Sequence, residues 1–94
     1  MATYILLSRL TEEGMTALKS QPDRLSEMRR EVESLGACVL QQYATLGVYD
    51  FVSIVEAPDL KTIARVSVDL SARGSMKIQT LSAIPIEEFI AGLD

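Results

Sequence analysis

Histidine is absent from the 94 residues, and cysteine occurs once, as Cys38. The first absence removes the commonest general base and the commonest metal ligand. The second excludes a disulfide within the chain and any cysteine-cluster metal site. Basic charge is scarce: nine lysines and arginines stand against thirteen acidic residues, a net charge of −4. A nucleic-acid reader should carry a basic patch, so no nucleic-acid partner is expected. No apolar run approaches the roughly 20 residues of a membrane span. Residues 1–9, Met-Ala-Thr-Tyr-Ile-Leu-Leu-Ser-Arg, lack the basic opening of a secretory signal. A cytoplasmic location without a membrane partner is therefore expected, and a lone cysteine fits a reducing compartment. Internal repeats, low-complexity tracts, linkers and glycine-rich phosphate loops are also missing.

What remains can fold. Hydrophobic residues make up 48% and charged residues 23%, which suffices for a core and argues against disorder. Residues 1–94 are expected to form a single domain, because two cores would each be too small.

The periodicity changes along the chain. Residues 3–9 are apolar, β-branched and aromatic, and too few for an independent helix; they read as a first strand. Thr11, followed by Glu12 and Glu13, is a helix-start signal. Helical spacing then runs to Leu35, with a bend expected near residues 20–22 because Pro22 lacks an amide hydrogen. Leu25, Met28, Val32 and Leu35 form one buried stripe, leaving Arg29, Arg30, Glu31 and Glu33 in water. Gly36 caps the end. Residues 37–46 and 49–57 read as two strands joined by a tight turn at Gly47 and Val48. Pro58 opens a second helix with Leu60, Ile63, Ala64, Ser67 and Leu70 on its inner face, and Gly74 ends it. Residues 75–84 form a fourth strand, and Pro85, Glu87 and Glu88 start a short terminal helix carrying Phe89, Ile90 and Leu93.

The order is β-α-β-β-α-β. Right-handed crossovers place both helices on one face of a four-stranded antiparallel sheet, the ferredoxin-like α+β arrangement. A solvated second face should be polar. Here both alternating sets of each strand contain large apolar residues: Tyr4 and Leu6 against Ile5 and Leu7, Phe51 and Val55 against Val52 and Ile54. One set meets the helices. The other needs cover, and a second copy of the chain packed sheet on sheet would provide it.

The segment 46–59, Leu-Gly-Val-Tyr-Asp-Phe-Val-Ser-Ile-Val-Glu-Ala-Pro-Asp, resembles the signature of the GYD-domain family, whose name comes from a Gly-x-Tyr-Asp motif. Gly47, Tyr49 and Asp50 carry that motif here. Residues 80–89 resemble the family's last strand and closing acidic segment, and residues 3–8 fit its start, so the resemblance covers nearly the whole chain. Val48 stands where the family often has a basic residue. The resemblance implies a dimeric α+β barrel, two ferredoxin-like subunits joined around a shared interior. Related barrels include cofactor-independent monooxygenases, haem-degrading enzymes, lactone isomerases, ligand-sensing domains and stress proteins, and one fold with so many activities selects none of them.

Tyr49 and Asp50 are the first candidates for a site, since a phenol beside a carboxylate can bind a polar group or move a proton. As neighbours in a strand they would face opposite ways. The structural alternative has Asp50 tying down turn amides and Tyr49 packing at an interface. Tyr4, Tyr43, Gln41 and Gln42 are candidates to line a pocket, against plain cross-strand packing. Cys38 has no neighbouring cation or histidine to activate it and reads as a small hydrophobe. Glu12, Glu13, Glu87, Glu88 and Asp94 sit at helix starts or the chain end, where the macrodipole explains most of them, so no metal is expected. Lys61, Arg65 and Arg73 solvate the second helix. No cofactor is implied. The leading expectation is a homodimer, extending to a higher oligomer, that binds a small molecule or serves as an oligomerisation or regulatory module. The alternative is a cofactor-independent monooxygenase-like or isomerase-like enzyme acting on a small aromatic or lactone substrate.

Overall fold

The computed structural model describes residues 1–93; Asp94 lies outside the described residues. The chain runs β1 (Ala2–Leu10), α1 (Glu12–Ser20), α2 (Arg24–Ser34), β2 (Cys38–Ala44), β3 (Phe51–Ala57), α3 (Leu60–Ser71), β4 (Met76–Ala83) and α4 (Ile86–Ala91). The four strands form one antiparallel sheet in the order β2-β3-β1-β4, with β1 between β3 and β4. This is the α+β ferredoxin-like topology that the element order implied. The helical break falls at residues 21–23, as Pro22 required.

Register divides the sheet into two faces. Tyr4, Leu6 and Ser8 of β1 pair with Val55, Ser53 and Phe51, and with Ser82, Thr80 and Ile78. This set faces the helices. Tyr4, Leu6, Val39, Val55 and Met76 join Val32, Ile63, Val66 and Leu70 in the core, and Val55 and Val66 are wholly buried. Full burial of one such side chain is worth about 1.5–3 kcal/mol.

Three local readings needed revision. The inner stripe of α3 is Ile63, Val66 and Leu70; Leu60 and Ala64 are exposed. Pro58 lies before the helix instead of in its first turn, and Asp59 is the N-cap. Between β2 and β3 the connection is no tight turn. Pairing stops at Ala44↔Phe51, so residues 45–50 form a six-residue loop that removes Tyr49 and Asp50 from the strand. A bulge at Leu40 also re-phases β2, so that Val39 faces the helices while Gln41 and Tyr43 face away.

Helix α1 is fastened to the far end of the sheet. The Thr11 amide donates to the Ser75 carbonyl (3.0 Å), and the Thr11 hydroxyl donates to the Gly74 carbonyl (2.8 Å) while accepting from the Gly14 amide (3.1 Å). The approach is so close that a β-carbon on Gly14 would lie 1.9 Å from the Ser75 carbonyl oxygen. Gly14→Ala is therefore expected to lower unfolding free energy by about 1–3 kcal/mol in urea titrations. An unchanged midpoint would show that α1 does not rest on Ser75.

At α3, the Asp59 carboxylate accepts from the Thr62 amide (2.9 Å) and the Thr62 hydroxyl (2.8 Å). The amide first and the hydroxyl second hold its pKa below the ordinary carboxylate value. A depressed folded-state pKa adds stability above the unfolded value, which is lost as pH falls through the folded one. Wild type is thus expected to be more stable than Asp59→Ala at neutral pH, the gap closing on acidification in denaturation curves. A gap independent of pH would rule out the ionised cap.

Candidate functional site

The side of the sheet turned away from the helices carries the candidate site. Its middle is apolar: Ile5 pairs with Ile54 and Leu81, and Leu7 with Val52. Its ends are oppositely charged. Arg9 pairs with Lys77 at one end, and Thr3 with Glu56 at the other. Helices α1, α2 and α3 all pack on the other face.

Two tyrosines border the open face. Tyr43, on edge strand β2, donates its hydroxyl to Gln41 Oε1 (2.9 Å) and is half exposed. Tyr49 leaves the 45–50 loop and crosses β1 to donate its hydroxyl to Gln79 Oε1 on β4. Tyr4 stands on the opposite face, buried in the core. Gln42 likewise faces the helices, its amide 3.5 Å from the Ser53 hydroxyl. The structure thus brings Tyr43 and Tyr49 to one surface and separates Tyr4 from both.

Asp50 has a different task. The β1–β3 ladder ends at Ser8↔Phe51, which leaves the Leu10 amide without a β3 partner. The Asp50 carboxylate accepts that amide (2.7 Å), and its own amide donates to the Ser8 carbonyl (2.8 Å). The loop closes behind it: the Thr45 amide donates to the Asp50 carbonyl (2.8 Å), and the Thr45 hydroxyl donates to the Tyr49 carbonyl. Asp50 therefore does tie down an amide, but on β1 and not within the turn. Gly47 supplies the reversal, with φ of +131°, which side-chain-bearing residues rarely adopt. The clamp leaves Leu46 and Val48 on the loop tip, 103% and 69% exposed. The sequence places Leu46 at a strand end and Val48 in the turn, without marking either as exposed. Their signal was the apolar pair itself, in a turn where polar residues are the rule.

On the helix side, a cavity of about 40 Å³ lies among α1, α2 and α3, lined by Leu18, Leu25, Met28, Leu70 and Met76, with Arg24 and Arg73 contributing charge. Small-molecule sites usually occupy about 300–1,000 Å³. Arg73 is also engaged, paired with Glu31 of α2. Among the described residues, no three His, Cys, Asp or Glu side chains gather into a metal-binding group, and no helix is long and apolar enough to cross a membrane.

Asp50→Ala leaves the Leu10 amide unpaired and is expected to cost about 1–3 kcal/mol in urea unfolding. Tyr49→Phe, which removes one exposed hydrogen bond, should cost about 1 kcal/mol or less. Equal costs would contradict this division of labour.

A family model described as the GYD domain matches residues 4–93. A Thermus thermophilus protein named "Glutamine synthetase and cystathionine beta-lyase binding protein" is 48% identical over 94 residues, 99% of each chain. The crystal structure of TTHA0845 from Thermus thermophilus has 24% sequence identity and a TM-score of 0.58, covering 90% of this chain and 95% of that one. At that identity the likeness supports the fold alone.

Proposed function

The chain belongs to the GYD domain family, and on that premise we propose that it is a small homodimeric adaptor that binds metabolic enzymes. The observation that carries this reading is the whole-chain similarity to a relative named for binding glutamine synthetase and cystathionine β-lyase. The geometry is compatible. The candidate polar residues split between two faces, and the helix-side cavity is far smaller than a metabolite. The middle of the open face carries half-buried Ile5, Leu7, Val52 and Ile54 beside exposed Leu81, apolar surface of the kind that recruits protein. A second copy packed against it would bury Ile5, Leu7, Val52, Ile54 and Leu81 and leave the helices free for an enzyme partner.

The test is paired. Sedimentation velocity should give a dimer, and immobilised protein should retain purified glutamine synthetase or cystathionine β-lyase from the same organism. A monomer that retains neither enzyme would overturn the reading.

A second reading, that the space between two sheets takes a small ligand, is favoured by the Tyr43–Gln41 and Tyr49–Gln79 pairs on the open face. Native mass spectrometry of the purified protein would then show extra bound mass on the oligomer. A bare oligomer, unchanged by a metabolite library, would count against it.

A further inference from the structure

Residues 84–93 form an arm whose apolar side chains lie open to solvent. Ile84, Ile86, Phe89, Ile90 and Leu93 are all between 49% and 70% exposed. Ile86, Phe89, Ile90 and Leu93 follow the i, i+3, i+4, i+7 spacing of a helix face that docks, with Glu87 and Glu88 beside it. Six residues of helix are marginal alone in water. The arm also stands away from the body. The radius of gyration is 14.1 Å and the extents are 51 × 28 × 18 Å, whereas a compact chain of this length has a radius near about 12 Å.

The two ends of the sheet are complementary. The arm leaves from the end where Ala83 pairs with Thr3, and Glu56 lies on the open face there. The opposite end carries Arg9 and Lys77 on the open face, and the exposed Leu46 and Val48 project from the loop beside it. One end therefore offers apolar groups with negative charge, and the other apolar groups with positive charge. Six residue steps along β1, from Thr3 to Arg9, separate them by about 20 Å. The arm begins only three residues past Ala83, so it cannot reach the other end of its own sheet. A second chain can be reached. Three extended residues span about 10 Å, which matches the roughly 10 Å between packed sheets.

We propose that the C-terminal arm of each copy docks on the Leu46–Val48 tip and the Arg9–Lys77 end of a second copy, the two sheets packing face to face with strands opposed. Opposed packing sets Glu56, Glu87 and Glu88 of one copy against Arg9 and Lys77 of the other. Packing in the same direction would stack like charges at both ends, which disfavours it. The loop that carries the Gly-x-Tyr-Asp motif is then the receptor for the arm, held in shape by Asp50 and Tyr49. This inference rests on the homodimer reading above and adds which surfaces meet and in what orientation.

Charge reversal with rescue tests it. The dissociation constant of the dimer is measured by sedimentation for wild type, E87K/E88K, and the quadruple variant R9E/K77E/E87K/E88K. E87K/E88K should weaken the dimer about tenfold, and the quadruple variant should recover part of that loss, because R9E and K77E regain the two reversed charges but also meet the unchanged Glu56. A wild-type dimer indifferent to E87K/E88K, or weakened without rescue in a folded quadruple variant, overturns the arm docking while leaving the dimer reading intact. A wild-type monomer removes both. Should the quadruple variant fail to fold, V48C/F89C decides. The two positions lie at opposite ends of the sheet within one chain, so a disulfide between copies supports the docking, and an oxidised dimer without it overturns the docking.

Discussion

The carboxylate of Asp50 sits where a β-ladder runs out. β1 continues two residues beyond its last β3 partner, and the Leu10 amide is left at the margin of the sheet. A side-chain oxygen takes that amide, and much follows from the exchange. Asp50 is held against β1 at both its amide and its carboxylate, so β3 cannot begin earlier and the β2–β3 connection must be a loop of six residues. With Asp50 fixed, Tyr49 is launched across β1 towards Gln79, and Leu46 and Val48 are held out in solvent. Within the motif, the Asp50 carboxylate answers a backbone donor that needs an acceptor, the amide-tying role that the sequence offered beside an acid–base one.

The second organising constraint is the two-sidedness of the sheet. A chain of this size can cover one face with its own helices, and the core shows where that cover lies: Val32, Ile63, Val66 and Leu70 meet Tyr4, Leu6 and Val55. Ile5, Leu7, Val52, Ile54 and Leu81 are left to the other side. These side chains leave apolar area on the outer side of the sheet, whose burial by a second surface would be favourable.

Much of this was legible in sequence. Strand alternation, the proline break at Pro22 and the acidic helix start after Thr11 place the elements within a few residues, because each depends on local chemistry. The apolar second face was legible too, since alternation in β1 and β3 survives folding intact. Other features depend on contacts between distant segments. Nothing near Leu40 announces a bulge, so the facing of Gln41 and Tyr43 could be known only once β2 was paired with β3. Asp50 belongs to the loop because of Ser8 and Leu10, forty residues earlier in the chain. Tyr4 and Tyr43 look equivalent as aromatic strand residues, yet the register puts them on opposite sides.

The bulge at Leu40 bears on a separate hazard. β2 is an edge strand without a single charged residue, Cys-Val-Leu-Gln-Gln-Tyr-Ala, and a flat edge of that composition invites another strand to add to it. The extra residue interrupts the row of free amides and carbonyls, and the Arg29 guanidinium occupies one of them by donating to the Val39 carbonyl (3.2 Å). The bulge thereby obstructs association along the edge, where each added strand would expose the next and growth into fibrils would have no natural end, whereas the proposed face-to-face pairing would close after two copies.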